Sequence, residues 1–250
     1  MTINELKYYS SLLQKKIRKQ EEKFIVEGFK LIFEALNSSF ECEKIFYTNS
    51  FNENNSEKVN FLKSHTKNLE CIKTKELEKL IDVKTPQEIV GVFKYKKSDA
   101  NIFQSKIIAA LEHISDPGNF GTIIRNCDWF GIEEIIISDD CAEIFSPKVI
   151  RSSAGSVFHV KINEEKNFIT ALMEYKNKGY KLLCADLKGN DIKNISIDEK
   201  IIVAFANEAN GPTDELKNIS DELITIPKKG KAESLNVANA SAVILYELTN

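Results

Sequence analysis

The chain has 250 residues, of which 42% are hydrophobic, and a formal net charge of −3 at pH 7. This length and composition predict a folded protein of one large or two ordinary domains and exclude a disordered chain. The small negative charge argues against bulk binding of polyanions, although a local basic face needs only a few well-placed cations. No apolar run approaches the roughly 18 residues that span a bilayer, and the N-terminus has no signal-peptide core, so no membrane partner is expected.

The cysteines and histidines do not form a recognisable site. The five cysteines are odd in number, widely spread and without CxxC spacing, which predicts reduced thiols and a cytoplasmic location. His65, His113 and His159 are scattered without the spacing of metal ligands, so no metal is expected. The glycine-rich nucleotide-binding motifs and the serine-hydrolase elbow are also missing. Zinc enzymes, nucleotide triphosphatases, Rossmann oxidoreductases and serine hydrolases are therefore disfavoured.

Hydrophobic patterning predicts a small α/β unit over residues 1–95. It begins with a lysine-rich helix over 4–23, in which the mixed charges of 15–23 fit either a solvated helix end or a surface that faces RNA. The predicted strands that follow are 23–28, 43–50, 69–74 and 85–95, and the predicted helices are 29–36, 54–65 and 75–83. The polar, aperiodic segment 96–105 is predicted to be a linker.

A second α/β unit is predicted over residues 106–250. Its predicted strands are 106–114, 132–138, 180–186, 200–206 and 222–227, and its predicted helices are 120–130, 166–178 and 234–248. The last helix is expected to begin on Ser234, a good N-cap residue. Strands that alternate with helices predict a mainly parallel sheet, which binds its ligands at the carboxyl ends of the strands.

Four loops rich in glycine, proline and polar residues follow strands of this second unit. They are 115–121, 139–148, 206–212 and 227–236. Because the carboxyl ends of parallel strands lie at one edge of a sheet, these loops are expected to converge on one site. Its side chains are polar and mostly uncharged: Asn119, Asn207, Ser234 and Asn236, together with Glu208 and Arg125.

Arginine is rare in this chain. Only three of the 34 basic residues are arginine: Arg18, Arg125 and Arg151. A guanidinium grips phosphate or carboxylate with a planar fork of donors that lysine does not reproduce. Arg125 follows Gly121 by one helical turn, which favours an anion-binding role at the predicted site; a structural ion pair or a helix cap is the alternative.

Four segments of the sequence resemble the motifs of one enzyme family. The segments "DPGNFGTIIRNCDWFG" (116–131), "FSPKVIRSSAGSVFH" (145–159), "FANEANGP" (205–212) and "IPKKGKAESLNVANASAVILYE" (226–247) resemble the SpoU/TrmH RNA ribose 2′-O-methyltransferases of the SPOUT class. The resemblance covers about 106–250, in order and with family-like spacing. Residues 15–36 and 85–93 resemble the ribosomal-protein-like α/β RNA-binding domain that often precedes it.

The resemblance implies a fold and a reaction. The fold is a trefoil-knotted α/β domain that forms a homodimer, and the reaction is methyl transfer from S-adenosylmethionine to a ribose 2′-hydroxyl of rRNA or tRNA. Open-sheet rules argue against a threaded chain, so the knot is implied by the resemblance alone. An RNA-binding protein of this fold without methyl transfer is one alternative, and a base N-methyltransferase of the wider class is another.

The resemblance also implies residue roles. The implied catalytic residues are Asn119, Arg125, Glu208, Ser234 and Asn236; the implied cofactor-binding residues are Ala206, Gly211, Ile226 and Leu235; the implied RNA-binding residues are Lys15, Lys16, Arg18, Lys148 and Arg151. Arg125 would hold a phosphate near the target ribose and act by orientation and electrostatics, because a guanidinium is a poor base. Asn236 has a second interpretation, a contact in the first turn of the last helix.

Three positions depart from the family pattern. Ala206 and Ala209 stand where the family usually has glycine, and Lys228 stands where it often has methionine. An added methyl group narrows the space for the cofactor, and alanine disfavours positive φ. We therefore expect these changes to lower cofactor affinity and to leave the fold intact. Trp129 and Phe130 are predicted to lie in the core or at an interface, in preference to stacking on bases.

Overall fold

The computed structural model describes residues 1–83, 86–95, 104–195, 199–207 and 210–250. The chain divides into two compact units: Met1–Lys97 with Glu143–Phe158, and Ser98–Ala142 with His159–Asn250. Residues 143–158 therefore pack with the N-terminal residues, although the predicted second domain, 106–250, includes them. Most of the predicted linker, residues 96–103, lies outside the described residues.

Over the described ranges the chain forms ten strands and eleven α-helices. The strands are β1 (Lys23–Glu27), β2 (Glu41–Tyr47), β3 (Leu69–Cys71), β4 (Ile89–Lys94), β5 (Ile107–Glu112), β6 (Glu134–Ser138), β7 (Lys161–Glu165), β8 (Tyr180–Asp191), β9 (Lys200–Ala206) and β10 (Glu222–Thr225). The helices are α1 (Ile3–Ser11), α2 (Lys15–Glu21), α3 (Phe29–Leu36), α4 (Asn49–Asn54), α5 (Ser56–His65), α6 (Thr74–Leu77), α7 (Pro117–Trp129), α8 (Pro147–Ser152), α9 (Phe168–Asn177), α10 (Asp214–Ile219) and α11 (Val237–Thr249).

The first unit contains a four-stranded sheet in the order β1-β4-β2-β3, in which β2 and β3 are parallel and the other pairs antiparallel. An aromatic cluster explains why residues 143–158 belong to this unit. Phe24 of β1 is fully buried and stacks on Phe145, with ring centroids 4.6 Å apart, and on Phe158, at 5.9 Å. Stacked aromatic pairs bury much apolar area, which ties the segment to β1.

The predicted helix over 4–23 is in fact two helices. The chain turns between α1 and α2, where the amides of Leu12, Leu13 and Gln14 donate to carbonyls three residues earlier. The carbonyls of Leu12 and Leu13 then accept hydrogen bonds from Arg18 Nη1, both at 2.7 Å. The break is stable because these carbonyls find a donor outside a regular helix.

The second unit contains a six-stranded sheet in the order β10-β8-β9-β5-β6-β7, and all of these neighbours run parallel. The predicted mainly parallel sheet is therefore confirmed. Two elements were not predicted: the edge strand β7, whose sequence "KINEE" has no apolar run, and the short helix α10. Within the described residues, no helix is long and apolar enough to span a membrane.

A wide bulge interrupts β8. Leu223 of β10 pairs with Cys184, whereas the next residue, Ile224, pairs with Asn190, so residues 185–189 bulge out between the two pairings. Gly189 lies where β10 approaches most closely. A Cβ atom at this position would lie 2.5 Å from main-chain atoms of Ile224, which leaves room for glycine alone.

We expect Gly189→Ala to destabilise the protein by about 1–3 kcal/mol, because its methyl group would push β10 away from β8. Gly230→Ala is the matched control, since a Cβ there meets nothing within 4 Å. Calorimetric melting should give a Tm for G189A several degrees below that of G230A. Equal melting temperatures would contradict the close approach.

Candidate active site

A cleft of about 590 Å³ lies at the carboxyl ends of β8, β9 and β10 in the second unit. Its walls are the bulge residues 185–188, the loop after β9, the loop after β10 and one side of α11. The volume falls within the range of small-molecule sites, roughly 300–1,000 Å³. Of the four loops predicted to converge, 206–212 and 227–236 line this cavity, whereas no residue of 115–121 or 139–148 is part of its lining. The cavity is large enough for a cofactor.

The lining of the cleft combines apolar side chains with charged groups. Leu187 of the bulge is 71% exposed and Leu235 is 49% exposed, so the cleft offers apolar surface to a ligand. Asp186 and Lys217 also line it, with the Lys217 Nζ atom 3.9 Å from Asp186 Oδ2. In the described part of the chain, no group of three or more His, Cys, Asp or Glu residues is placed to hold a metal ion.

The structure brings the predicted cofactor-binding residues together. Ala206, Gly211, Ile226 and Leu235 all line the cleft, and so do Ser234 and Lys228. Gly211 has a φ of +64°, a left-handed conformation that favours glycine over any residue with a Cβ. Glu208 and Ala209, in the same loop, lie outside the described residues.

A buried carboxylate at the end of β5 fastens the loop after β9. Glu112 is 3% exposed and accepts hydrogen bonds from Thr213 N–H at 2.9 Å and Thr213 Oγ1 at 2.6 Å. A buried charge is costly unless it is hydrogen-bonded, so this pair fixes the loop strongly. Sequence reasoning missed both residues, although a glutamate that ends an apolar strand was an available signal.

The residue after Glu112 is strained. His113 has a φ of +56°, which is unfavourable for a residue with a Cβ. Its N–H donates to Ser138 Oγ, its ring Nδ1 is hydrogen-bonded to Asp140, and its carbonyl accepts from Asn207 Nδ2 at 3.1 Å. Partial burial favours the neutral form of Asp140, but the hydrogen bonds from Ser138 and His113 outweigh it and hold the pKa of Asp140 below its ordinary value. These bonds hold Asn207 at the cleft.

A pair of asparagines joins the first turns of α7 and α11. The Nδ2 of Asn236 donates to Asn119 Oδ1 at 3.0 Å. Asn119 lies in the first turn of α7, and its N–H donates to the N-cap residue Asp116 at 2.9 Å. Asn236 Oδ1 itself caps α11 by accepting from the backbone of Ala238 and Asn239. The N-cap is therefore Asn236, and the prediction that the helix begins on Ser234 is wrong.

The two helices pack closely beyond this pair. Asn126 Nδ2 donates to the Ala238 carbonyl at 2.8 Å and to Ser241 Oγ at 2.9 Å. Ala238 and Ser241 are buried, and their small side chains allow the backbones to approach. Sequence reasoning missed Asn126, because an asparagine inside a helix has no distinctive signal of its own.

Arg125 points away from the asparagine pair. It follows Asn119 by six positions, which places the two side chains about 120° apart around the axis of α7. The side chain is exposed and makes no hydrogen bond or ion pair with the residues that the structure describes. The alternative of an internal ion pair is thus not observed, and the guanidinium faces solvent, where it can bind an external anion.

The predicted RNA-binding residues differ in accessibility. Lys15 and Lys16 are exposed at the start of α2, and Lys148 is exposed at the start of α8. Arg151 is 34% exposed, with Nη1 3.9 Å from Glu27 Oε2. These four side chains remain available to the solvent.

The prediction for Arg18 is wrong. Its side chain is 4% exposed, and its Nε and Nη2 atoms bind Glu143 at 2.7 and 2.5 Å. With Nη1 held by the two carbonyls of the turn between α1 and α2, the guanidinium is neutralised inside the first unit. Arg18 therefore holds residue 143 to α2, and it has no accessible face for an RNA phosphate.

Four large side chains form an apolar face on the second unit. Trp129, at the end of α7, is 80% exposed, and Val243 and Tyr246 of α11 are 40% and 54% exposed. The Phe130 ring lies edge-on to Tyr246, with centroids 6.3 Å apart. Trp129 is thus not part of the core. We call these four residues the α7–α11 apolar face.

Comparison with known proteins agrees with this geometry. Residues 106–246 match the model of the SpoU rRNA Methylase family, and residues 4–91 match that of the MRM3-like substrate binding domain. The 23S rRNA (guanosine(2553)-2′-O)-methyltransferase RlmP of Bacillus subtilis is 28% identical over 247 residues, which cover 98% of this chain and 95% of that protein.

Solved structures show the same fold. The AdoMet-bound rRNA methyltransferase of Sinorhizobium meliloti has a TM-score of 0.83 and 28% identity, over 99% of this chain and 95% of its own. The SpoU methyltransferase AviRb of Streptomyces viridochromogenes, in complex with AdoMet, has a TM-score of 0.89 and 23% identity, over 100% of this chain and 97% of its own. The chain belongs to the SpoU rRNA methylase family and is an RNA methyltransferase that uses S-adenosylmethionine.

Proposed function

We propose that this protein methylates a ribose 2′-hydroxyl of ribosomal RNA. The observation that carries the proposal is the cleft, in which the four cofactor-binding candidates meet next to the hydrogen-bonded pair Asn119–Asn236. Asn236 stands between the cleft-lining residues Leu235 and Val237. 23S rRNA is the favoured substrate, because RlmP matches 98% of the chain and bears that name. Ribosomal RNA as substrate also favours a cytoplasmic location.

The cleft fits S-adenosylmethionine. Ala206, Gly211, Ile226 and Leu235 would hold it, and the exposed leucines offer apolar surface to its adenine ring. When bound, S-adenosylmethionine supplies an electrophilic methyl group on a sulfonium. The departures from the family pattern at Ala206 and Lys228 lie in the lining of a cavity that still measures about 590 Å³. They leave room for the ligand.

The chain's own residues then position the nucleophile. The hydrogen bond from Asn236 fixes the orientation of the Asn119 amide, which orients the target ribose. Arg125 binds the adjacent phosphate with its fork of donors and stabilises the charge that develops on the ribose oxygen. Because the guanidinium keeps its proton, the substrate phosphate accepts the proton of the 2′-hydroxyl. Ser234 lines the cleft, and the family resemblance implies a catalytic role for Ser234 and for Glu208, which lies outside the described residues.

The α7–α11 apolar face is proposed to be the interface of a homodimer. Exposed apolar side chains often mark protein–protein contacts, and Trp129, Val243 and Tyr246 are 80%, 40% and 54% exposed. The family resemblance supports the same proposal, and it also supports a trefoil knot in the second unit. A crystal structure of the protein would show whether the traced chain is knotted.

The reaction is tested by incubating the protein with labelled S-adenosylmethionine and total RNA from a strain that lacks it. We expect label in dinucleotides that resist alkaline hydrolysis, because a methylated 2′-oxygen can no longer attack the neighbouring phosphate. Label that is confined to bases in alkali-sensitive mononucleotides would contradict ribose methylation. RNA incubated without the protein is the control.

We expect Arg125→Lys to keep its fold and its affinity for S-adenosylmethionine but to lose about a hundredfold in kcat/KM, because lysine lacks the planar fork. Arg151→Lys makes the same chemical change at another partly exposed arginine and should lose far less. Calorimetric titration of the cofactor and the ribose assay measure the two properties. Wild-type turnover in R125K would contradict the role of the fork.

Two substitutions at Asn236 separate its two roles. Asn236→Asp keeps the oxygen that caps α11 but replaces the donor to Asn119, so stability should stay within about 0.5 kcal/mol while kcat falls at least tenfold. Asn236→Ala removes both groups and should also cost about 0.5–2 kcal/mol of stability. Urea unfolding and the ribose assay provide the measurements. A fully active N236D would show that Asn236 is a helix cap and nothing more.

We expect Trp129→Asp to dissociate the homodimer, because the substitution places a charge in the centre of an apolar interface. Met173→Asp is the control, since Met173 is a 48% exposed apolar residue on α9 of the same unit. Sedimentation velocity should give a dimer for the wild type and for M173D, and a monomer for W129D. A monomeric wild type would refute the proposed interface.

A further inference from the structure

Four aromatic side chains form a continuous surface cluster on the first unit. Phe29 and Phe33 lie on α3, and Phe61 and His65 lie on α5. The Phe33 and Phe61 ring centroids are 5.0 Å apart, those of Phe29 and Phe61 are 6.0 Å apart, and His65 lies 3.9 Å from Phe61. We call this cluster the aromatic platform.

The platform is not needed to build the core. α3 buries Ile32 and Ala35, and α5 buries Val59 and Leu62, so each helix already has a core face. Phe33 nevertheless remains 38% exposed, and its neighbours in the cluster are only partly covered. Aromatic rings that are held rigidly against each other and still face water are typical of a binding surface.

Lysines outnumber carboxylates on the two helices of the platform, three to two. The Lys58 Nζ atom lies over the Phe29 ring, 5.4 Å from its centroid, and forms a cation–π interaction with it. Lys30 and Lys63 are exposed on the same two helices. The two carboxylates on these helices are the partly buried Glu34 and the exposed Glu57. Basic groups beside exposed rings match a phosphate backbone with unpaired bases more closely than they match an apolar protein surface.

We propose that the aromatic platform binds unpaired bases of the RNA substrate, with Phe33 as the stacking residue and Lys58 beside it for the phosphate. The proposal rests on the proposed function, since it assigns the platform to the RNA that this enzyme methylates. Stacking requires bases that are splayed out of a helix, so the ligand is a single-stranded loop or bulge and not a duplex. Residues 4–91, which include the platform, match a substrate binding domain.

The test uses the full-length chain and two fluorescein-labelled RNA probes of one sequence, single-stranded and duplex. Phe33→Ala should weaken binding of the single strand at least about fivefold, because the loss of one stacked base has an effect of this size. It should change the affinity for the duplex less than about twofold. Lys58→Gln should weaken both and reduce the salt dependence. Met173→Ala, at an exposed apolar residue of the second unit, is the matched control and should bind both probes as the wild type does.

A second variant reports stacking directly. Phe33→Trp should keep the affinity of the wild type, and its added fluorescence should be quenched by the single strand and not by the duplex. The wild type, whose one tryptophan is Trp129, gives the background signal. Circular dichroism melting of both Phe33 variants excludes misfolding as the cause of a loss.

Three results would overturn the proposed role of the platform. F33A could bind the single strand as tightly as M173A does, or F33A could lose the same affinity for both probes. The third is that the single strand does not quench the fluorescence of F33W. The ribose assay, run in parallel on the wild type, tells these results apart from failure of the proposed function. Labelled ribose with normal binding by F33A refutes the platform alone. Binding that depends on Phe33, without labelled ribose, supports the platform and refutes ribose methylation.

Discussion

The common direction of the six strands in the second unit is the constraint on which the candidate site depends. Neighbouring parallel strands cannot be joined by a tight hairpin, so each crossover carries the chain back and every strand ends at the same edge. The loops after β9 and β10 meet there, together with the bulge of β8. Irregular backbone exposes amide and carbonyl groups to a ligand, which regular strands do not.

Such loops form a defined binding site only if other contacts fix their conformation. Glu112 fastens the loop after β9 through Thr213, and the bond between Asn119 and Asn236 joins two helix starts. The first contact satisfies the carboxylate of Glu112, whose burial would otherwise be costly, whereas the asparagine pair is exposed. These hydrogen bonds therefore stabilise the fold and also set the shape of the cleft and the orientation of its polar side chains.

Two of the three arginines illustrate how one residue type serves different ends. Arg18 uses all of its nitrogen atoms inside the first unit, on Glu143 and two carbonyls, and so acts as a structural clamp. Arg125 is exposed and carries its guanidinium on α7, without an internal partner in the described chain. Arg18 uses the planar fork of donors for a protein carboxylate, and the proposed role of Arg125 would use it for an external phosphate.

The two exposed apolar surfaces differ in the charges that accompany them. The α7–α11 apolar face consists of Trp129, Phe130, Val243 and Tyr246, on two helices that already pack tightly against each other. The aromatic platform on the first unit is accompanied by lysines. An uncharged face suits a second protein surface, whereas rings beside ammonium groups suit a nucleic acid.

The sequence by itself determined most of the strands and helices, the parallel sheet and the family, because hydrophobic periodicity and four ordered motifs are local properties of the chain. It also pointed to the loops at the carboxyl edge that line the cleft. It missed β7 and α10 and the break between α1 and α2. It did not determine that Arg18 is buried, that residues 143–158 pack on β1, or that Trp129 is exposed. Burial and pairing depend on partners such as Glu143 and Phe24, which are far away along the chain. Tertiary structure alone decides those contacts, because only folding brings such residues within reach of each other.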